Sequence, residues 1–175
     1  MDNGAKATSK RSTYQTVVDQ IAGIFLPIIN VLTASGILKS VMMLLVTFHI
    51  LEETDGVYRV FYAVSDGFFY FLPFFLAVTA AEQWKLDKFV AMMIPVAMLY
   101  PDITAILENN GSFDFFQLTV PPTVFHSGVI PVLLAVGLLY FVEKPCDKYL
   151  PSAIKGFMKP ILCCLIVLPV TFLLF

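Results

Sequence analysis

Few side chains in this sequence of 175 residues carry titratable or nucleophilic chemistry, and two of them, Asp66 and Lys39, stand in apolar surroundings. Asp66 lies in "SDGFFYFLPFFLAVTAAEQW", residues 65–84, a stretch otherwise suited to lipid. A carboxylate at bilayer depth costs roughly 2.5–3.5 kcal/mol or more, so it is paired, solvated or used. Lys39, in another apolar run, is the ionisable residue that can answer it. Two readings follow: an ion pair between neighbouring helices, or one polar wall of a substrate path. Glu82 and Lys85 flank Trp84 at a span end, which is interface anchoring first and a gating contact second. His126, just after Pro121-Pro122, reads as an interfacial or packing residue ahead of a ligand. His49 and His126 are too far apart for metal spacing, and Cys146, Cys163 and Cys164 fit no metal or redox pattern. Vicinal Cys163-Cys164 falls in an apolar run, where cysteine acts as a small hydrophobe. There is no Gly-rich phosphate loop and no nucleophile–base constellation. Neither a metal nor a cofactor is expected, and the chain alone does not read as an enzyme.

The elements that must position these residues follow from composition. The chain is 58% hydrophobic and 14% charged, against about 45–50% and 25% in soluble domains. The excess falls in blocks separated by short charged clusters, the pattern of a multi-spanning membrane protein. Net charge is −2, with no basic surplus for nucleic acid. The fold class is therefore all-α integral membrane, with about five transmembrane helices. Residues 1–13 form a polar N-terminus. Residues 14–25 read as an amphipathic interfacial helix, with Thr16, Asp19 and Gln20 among Val17, Val18 and Ile21. Span one follows to residue 51. Span two is about 58–81, span three 89–107, span four 124–142, and span five runs from Ile161 to Phe175. Each holds or adjoins a proline, which membranes tolerate where neighbouring helices or a polar cavity satisfy the freed backbone.

Lysine and arginine set the orientation. Lys6, Lys10, Arg11, Lys85, Lys88, Lys144, Lys148, Lys155 and Lys159 are nine of the eleven basic residues, and alternating spans put them all on one side. The opposite side carries "EETDG", residues 52–56, and Asp102, Glu108 and Asp114. A cytoplasmic N-terminus is expected. Residues 109–131 interrupt the helical pattern: Asn110-Gly111 is a turn signal, and "FDFFQLTV" is rich in aromatic and β-branched residues. A short external strand or hairpin is expected there. No internal repeat is visible.

The ordered motifs resemble a known family. "GIFLPIINVLTASGILKSVMMLL" is similar to the start of the membrane component, enzyme IIC, of bacterial sugar phosphotransferase permeases, in the β-glucoside/sucrose branch of the glucose superfamily. "DGFFYFLPFFLAVTAAEQW" resembles that branch's Asp-Ala-Phe-Phe-Phe-Leu-Pro stretch with its Thr-Ala-Ala ending. "LDKFVAMMIPVAMLYPDI" resembles the next span. "SGVIPVLLAVGLLYFVEKPCDKYLPSAIKGFMKP" is similar to the Val-Ile-Pro-Ile, Val-Glu-Lys and Leu-Lys…Pro series. The likeness runs in order from about residue 15 to the end.

The resemblance implies uptake of a sugar through the cytoplasmic (inner) membrane and its presentation to a phosphocysteine on a cytoplasmic B domain. Implied partners are a sugar of the β-glucoside, cellobiose, sucrose or trehalose type, the enzyme IIB and IIA domains, the lipid bilayer and a second copy in a homodimer. The family's Gly-Ile-Thr-Glu-Pro motif and the phosphorylated cysteine do not occur in this sequence. Residues 14–175 are expected to be the N-terminal, scaffold half of an enzyme IIC domain. On this reading Asp66, with Lys39, His126 and Glu82, belongs to a polar network beside the sugar path and is not a catalytic acid. The alternative is a half-length, non-transporting membrane scaffold or regulator.

Overall fold

Runs of Leu, Ile, Val and Phe unbroken by charge make helices that bury in lipid whatever face they present. A computed structural model of the chain describes residues 13–108, 113–115, 118–120 and 128–174. It contains seven helices among them: α1 (Thr13–Thr47), α2 (Gly56–Tyr70), α3 (Leu72–Trp84), α4 (Lys88–Met98), α5 (Pro101–Glu108), α6 (Val129–Tyr149) and α7 (Ser152–Leu174). Strands β1 (Phe113–Phe115) and β2 (Leu118–Val120) pair antiparallel, Phe113 opposite Val120 and Phe115 opposite Leu118. The hairpin expected from the aromatic, β-branched stretch is present.

Four helical segments are long and apolar enough to cross a membrane: Gln15–Thr47, Lys88–Ala105, Val129–Tyr149 and Ile154–Leu173. The α2–α3 pair, bent by 47°, adds a fifth when taken as one broken span. The chain is thus an all-α multi-pass membrane protein with one small hairpin.

The break after residue 25, the end of span four and the start of span five differ from those the sequence suggests. No break separates an interfacial helix over 14–25 from span one: α1 runs unbroken through Pro27. A proline costs one backbone bond and pushes aside one carbonyl, and in a membrane the rest of the ladder has no water to exchange with. Span four does not end at 142, and span five does not begin at 161. The helices α6 and α7 continue through the charged residues to Tyr149 and from Ser152, leaving only Leu150 and Pro151 between them. Ion pairs hold those extensions: Lys155 Nζ lies 2.9 Å from Asp147 Oδ1, and Lys159 Nζ 2.6 Å from Glu143 Oε1. Span three breaks into α4 and α5 at Leu99-Tyr100, ahead of Pro101 as the sequence suggests, because the residue before a proline is pushed out of the helical region; Pro95, in contrast, stays inside α4.

Helices α3, α4 and α6 form the centre. Leu76, Ala77, Ala80 and Ala81 of α3 are fully buried, against Val90, Ala91 and Ile94 of α4 and Val132, Ala135, Val136 and Leu139 of α6. The alanines let backbones approach, and close packing, not hydrophobicity, holds helices together in lipid. Two glycines serve the same end. A Cβ at Gly23 would stand 2.7 Å from the Gln83 amide, and Gly137 lies under the Trp84 ring. Helix α1 contributes Ile24 and Ile28 to the core, and α7 contributes Cys163 and Val167. Most of α1 remains exposed, including Leu26, Ile29, Val31, Ile37 and Met43.

Candidate functional site

Lys39 and Asp66 meet. Lys39 sits on α1, eight residues before its end, and Asp66 on α2, ten residues after its start. At about 1.5 Å per residue Lys39 lies roughly 12 Å before the end of α1 and Asp66 roughly 15 Å after the start of α2, which corresponds to mid-depth if those helix ends mark one face of a hydrocarbon core of about 30 Å. Lys39 Nζ donates to Asp66 Oδ1 at 2.6 Å. Tyr62, Asp66 and Phe69 fall at i, i+4 and i+7, one stripe of α2. The ammonium accordingly stands 5.3 Å from the Tyr62 ring centroid and 5.9 Å from that of Phe69. Tyr58 stacks on Tyr62 one turn earlier, centroids 5.4 Å apart. On α1, Gly36 leaves room for Phe69, whose ring tip would be 3.9 Å from a Cβ there.

The stripe is aimed by what lies behind it. Ser65, fully buried, donates from its hydroxyl to the Tyr62 carbonyl at 2.9 Å. Beyond Asp66 the helix breaks at Phe71, with Pro73 in the first turn of α3. Phe68 stacks on Phe75 across that break, centroids 4.5 Å apart. The pair is not sealed: the Lys39 and Asp66 side chains keep 31% and 46% of their surface. A carboxylate acceptor and an ammonium donor beside aromatic faces is chemistry suited to a neutral, hydroxyl-rich ligand: each charge hydrogen-bonds a hydroxyl, and the rings take its C–H face.

Glu82 is not part of this group. It lies at the far end of α3, exposed, and forms an ion pair with Lys88 of α4. It bridges the link between two helices, which is the anchoring role. Lys85 in the same link has φ 57°, the left-handed conformation that caps α3. His126 lies outside the described residues. His49 has φ 55°, just past the end of α1.

A second polar cluster was not anticipated. Glu143 of α6 is 2% exposed. Its Oε1 accepts from the Asp87 backbone N–H at 2.9 Å and from Lys159 Nζ at 2.6 Å. Asp87 in turn caps α4, its Oδ1 accepting from the Phe89 and Val90 N–H groups at 2.9 and 3.4 Å. Asp147 holds Lys155 and Lys159 at 2.9 and 3.2 Å. One knot therefore ties the α3–α4 link, the end of α6 and the start of α7. The available signal was the spacing: Glu143 and Asp147 are four apart, as are Lys155 and Lys159, so each pair shares a helix face.

The comparisons with known proteins are consistent. The family model "Phosphotransferase system, EIIC" matches residues 22–175. The chain is 34% identical over 158 residues to the beta-glucoside-specific EIIBCA component of Bacillus subtilis (strain 168), covering 90% of this chain and 26% of that protein. It is 32% identical over 170 residues to the beta-glucoside-specific EIIBCA component of Dickeya chrysanthemi, covering 94% and 27%. It is 25% identical over 159 residues to the sucrose-specific EIIBC component of Klebsiella pneumoniae, covering 89% and 35%. The chain spans about a quarter of the length of the beta-glucoside relatives it matches. No solved structure matches it. With its helices, their order and this match over nearly the whole chain in agreement, the protein belongs to the EIIC family of the phosphotransferase system.

Proposed function

We propose that this chain is the membrane-spanning part of a phosphoenolpyruvate-dependent sugar permease that takes up a β-glucoside or related disaccharide. The sugar is then phosphorylated by an EIIB domain, itself charged through EIIA. The observation that carries this is the family match over residues 22–175, together with relatives named for β-glucosides. In those relatives the membrane part is fused to B and A components, as their names state. Residues 14–175 act as the scaffold half, facing a mobile half that holds most sugar contacts, and two copies pair through the scaffold. The N-terminus is cytoplasmic. The regulator reading has no observation in its favour.

Within that function the Lys39–Asp66 pair lines the polar seam beside the sugar path. Its charges stay paired when no sugar is present, and hydroxyls exchange with them as sugar passes. The test uses an intact permease carrying this sequence, with uptake of arbutin, cellobiose and sucrose measured beside protein level in the membrane. Wild type should take up a β-glucoside best. Asp66→Asn should lower uptake per molecule of protein in the membrane roughly tenfold, about 1.4 kcal/mol of lost recognition. No uptake of any of the sugars by wild type sinks the permease reading. Normal uptake by Asp66→Asn leaves the permease standing and removes Asp66 from the path.

A further inference from the structure

Between α4, α5 and α7 lies a trough of about 860 Å³, lined by apolar side chains such as Ile103, Leu165, Leu168 and Phe172. It adjoins a chamber of about 480 Å³ whose lining includes three charged side chains, Asp87, Lys155 and Lys159. Met93, Gly156 and Pro160 line both, so the two are one cleft. From Gly156 to Phe172 it runs about 24 Å along α7, more than the ~15 Å of one leaflet's hydrocarbon. Its polar mouth sits where helix ends and charges gather: the start of α4, the end of α6 and the start of α7.

The mouth has both signs of charge. Lys159 is taken up by Glu143 and Asp147. Lys155 uses two donors on Asp147, the carboxylate at 2.9 Å and the carbonyl at 3.1 Å, and an ammonium has three. Asp87 is exposed and accepts the cap bonds on Oδ1. A group that is anionic next to Lys155 and cationic next to Asp87 complements this mouth; a purely anionic group meets Asp87 and Asp147 as like charges.

We propose that the cleft is a binding site for a zwitterionic aminophospholipid. One acyl chain lies in the trough, the phosphate receives the free donor of Lys155, and the ammonium faces Asp87. Lipid tails are as apolar as the trough, so burying one gains no hydrophobic energy over the bilayer. Selectivity therefore comes from the mouth, and the trough supplies shape.

The test reconstitutes the full chain in nanodiscs of equimolar phosphatidylethanolamine and phosphatidylglycerol, then extracts it into mild detergent and counts retained lipid by native mass spectrometry. Wild type should retain phosphatidylethanolamine over phosphatidylglycerol by roughly tenfold, the ratio that one charge contact of about 1.4 kcal/mol gives. Asp87→Asn keeps the helix cap, because asparagine caps as well as aspartate, and should erase the preference while the thermal unfolding midpoint stays put. A Cβ at Gly156 meets nothing within 4 Å, so Gly156→Trp fills the cleft without a backbone clash and should abolish retention. Equal retention of both lipids by wild type overturns the proposal, as does a preference for the anionic lipid or one that Asp87→Asn does not move. If a protein segment fills the cleft instead, Gly156→Trp will block assembly of the permease and leave lipid retention unchanged, which also overturns it.

Discussion

At the scale of single residues, the two polar clusters make opposite demands on mutation. Asp66 and Lys39 neutralise each other at bilayer depth, so removing one partner strands a charge, whereas removing both strands none. Asp66→Asn alone is therefore expected to lower the membrane level or thermal midpoint more than Asp66→Asn with Lys39→Gln, as read by quantitative blotting and a melting curve. A double variant that is worse than the single one would mean that the pair does not act as a unit. Glu143 is a different case, because its carboxylate is buried and accepts both a backbone N–H and Lys159. Glu143→Ala should cost about 3 kcal/mol, the usual penalty for breaking a buried pair. Glu143→Gln keeps an acceptor for Asp87 and should cost clearly less. Of these two clusters only the first was legible in the sequence. Asp66 stands out because everything around it is apolar. Glu143 opens "EKPCDKY", a run that reads as a charged loop, and its burial depends on α7 and the α3–α4 link arriving from elsewhere in the chain.

At the scale of elements, the α2–α3 bend decides where the Asp66 stripe points. Phe71 ends α2, its N–H still bonded to the Gly67 carbonyl at 2.8 Å, and Pro73 then has no N–H to offer Phe69. Pro73→Ala restores that donor, so α2 and α3 can join into one straight helix of about 43 Å. Spin labels at Val60 and Gln83, both exposed, should move apart in Pro73→Ala, measured by pulsed electron resonance. An unchanged distance would mean that packing around Phe68 and Phe75 imposes the bend, not the missing donor. The prolines made such breaks foreseeable, and the break before Pro101 fell inside the span expected to contain it. Pro27 shows the limit of that signal: α1 continues through it, since one lost bond is outweighed by a ladder that has no alternative partner in lipid. The ends of α6 and α7 were hidden for the reverse reason. Charged residues end a hydropathy run, but here they pair along and between helices and prolong them.

At the scale of the whole molecule, the packing gathers six of the chain's lysines at one end. Trp84 over Gly137, Gln83 against Gly23 and Asp87 on Glu143 bring the beginning of α1, the α3–α4 link and the α6–α7 turn together. That end carries Lys85, Lys88, Lys144, Lys148, Lys155 and Lys159, while the α1–α2 loop at the other carries Glu52, Glu53 and Asp55. Basic residues near span ends resist translocation and acidic ones scarcely do, so the basic end should stay in the cytoplasm. The charge pattern was readable from the sequence because each span reverses direction; that α1 meets the α3–α4 link and α6 there was not, since it depends on glycine contacts between distant helices. The orientation is tested with Cys146, Cys163 and Cys164 replaced by alanine and one new cysteine introduced at a time. Glu53→Cys should react with a membrane-impermeant maleimide added to intact cells, and Lys148→Cys only after the membrane is opened. The reverse labelling would place the Lys39–Asp66 pair nearer the cytoplasm than the outside. The seam it lines would then guard release of the sugar rather than its capture. Labelling of both positions in intact cells would indicate that the chain inserts in two orientations, and the basic end would have lost its say over topology.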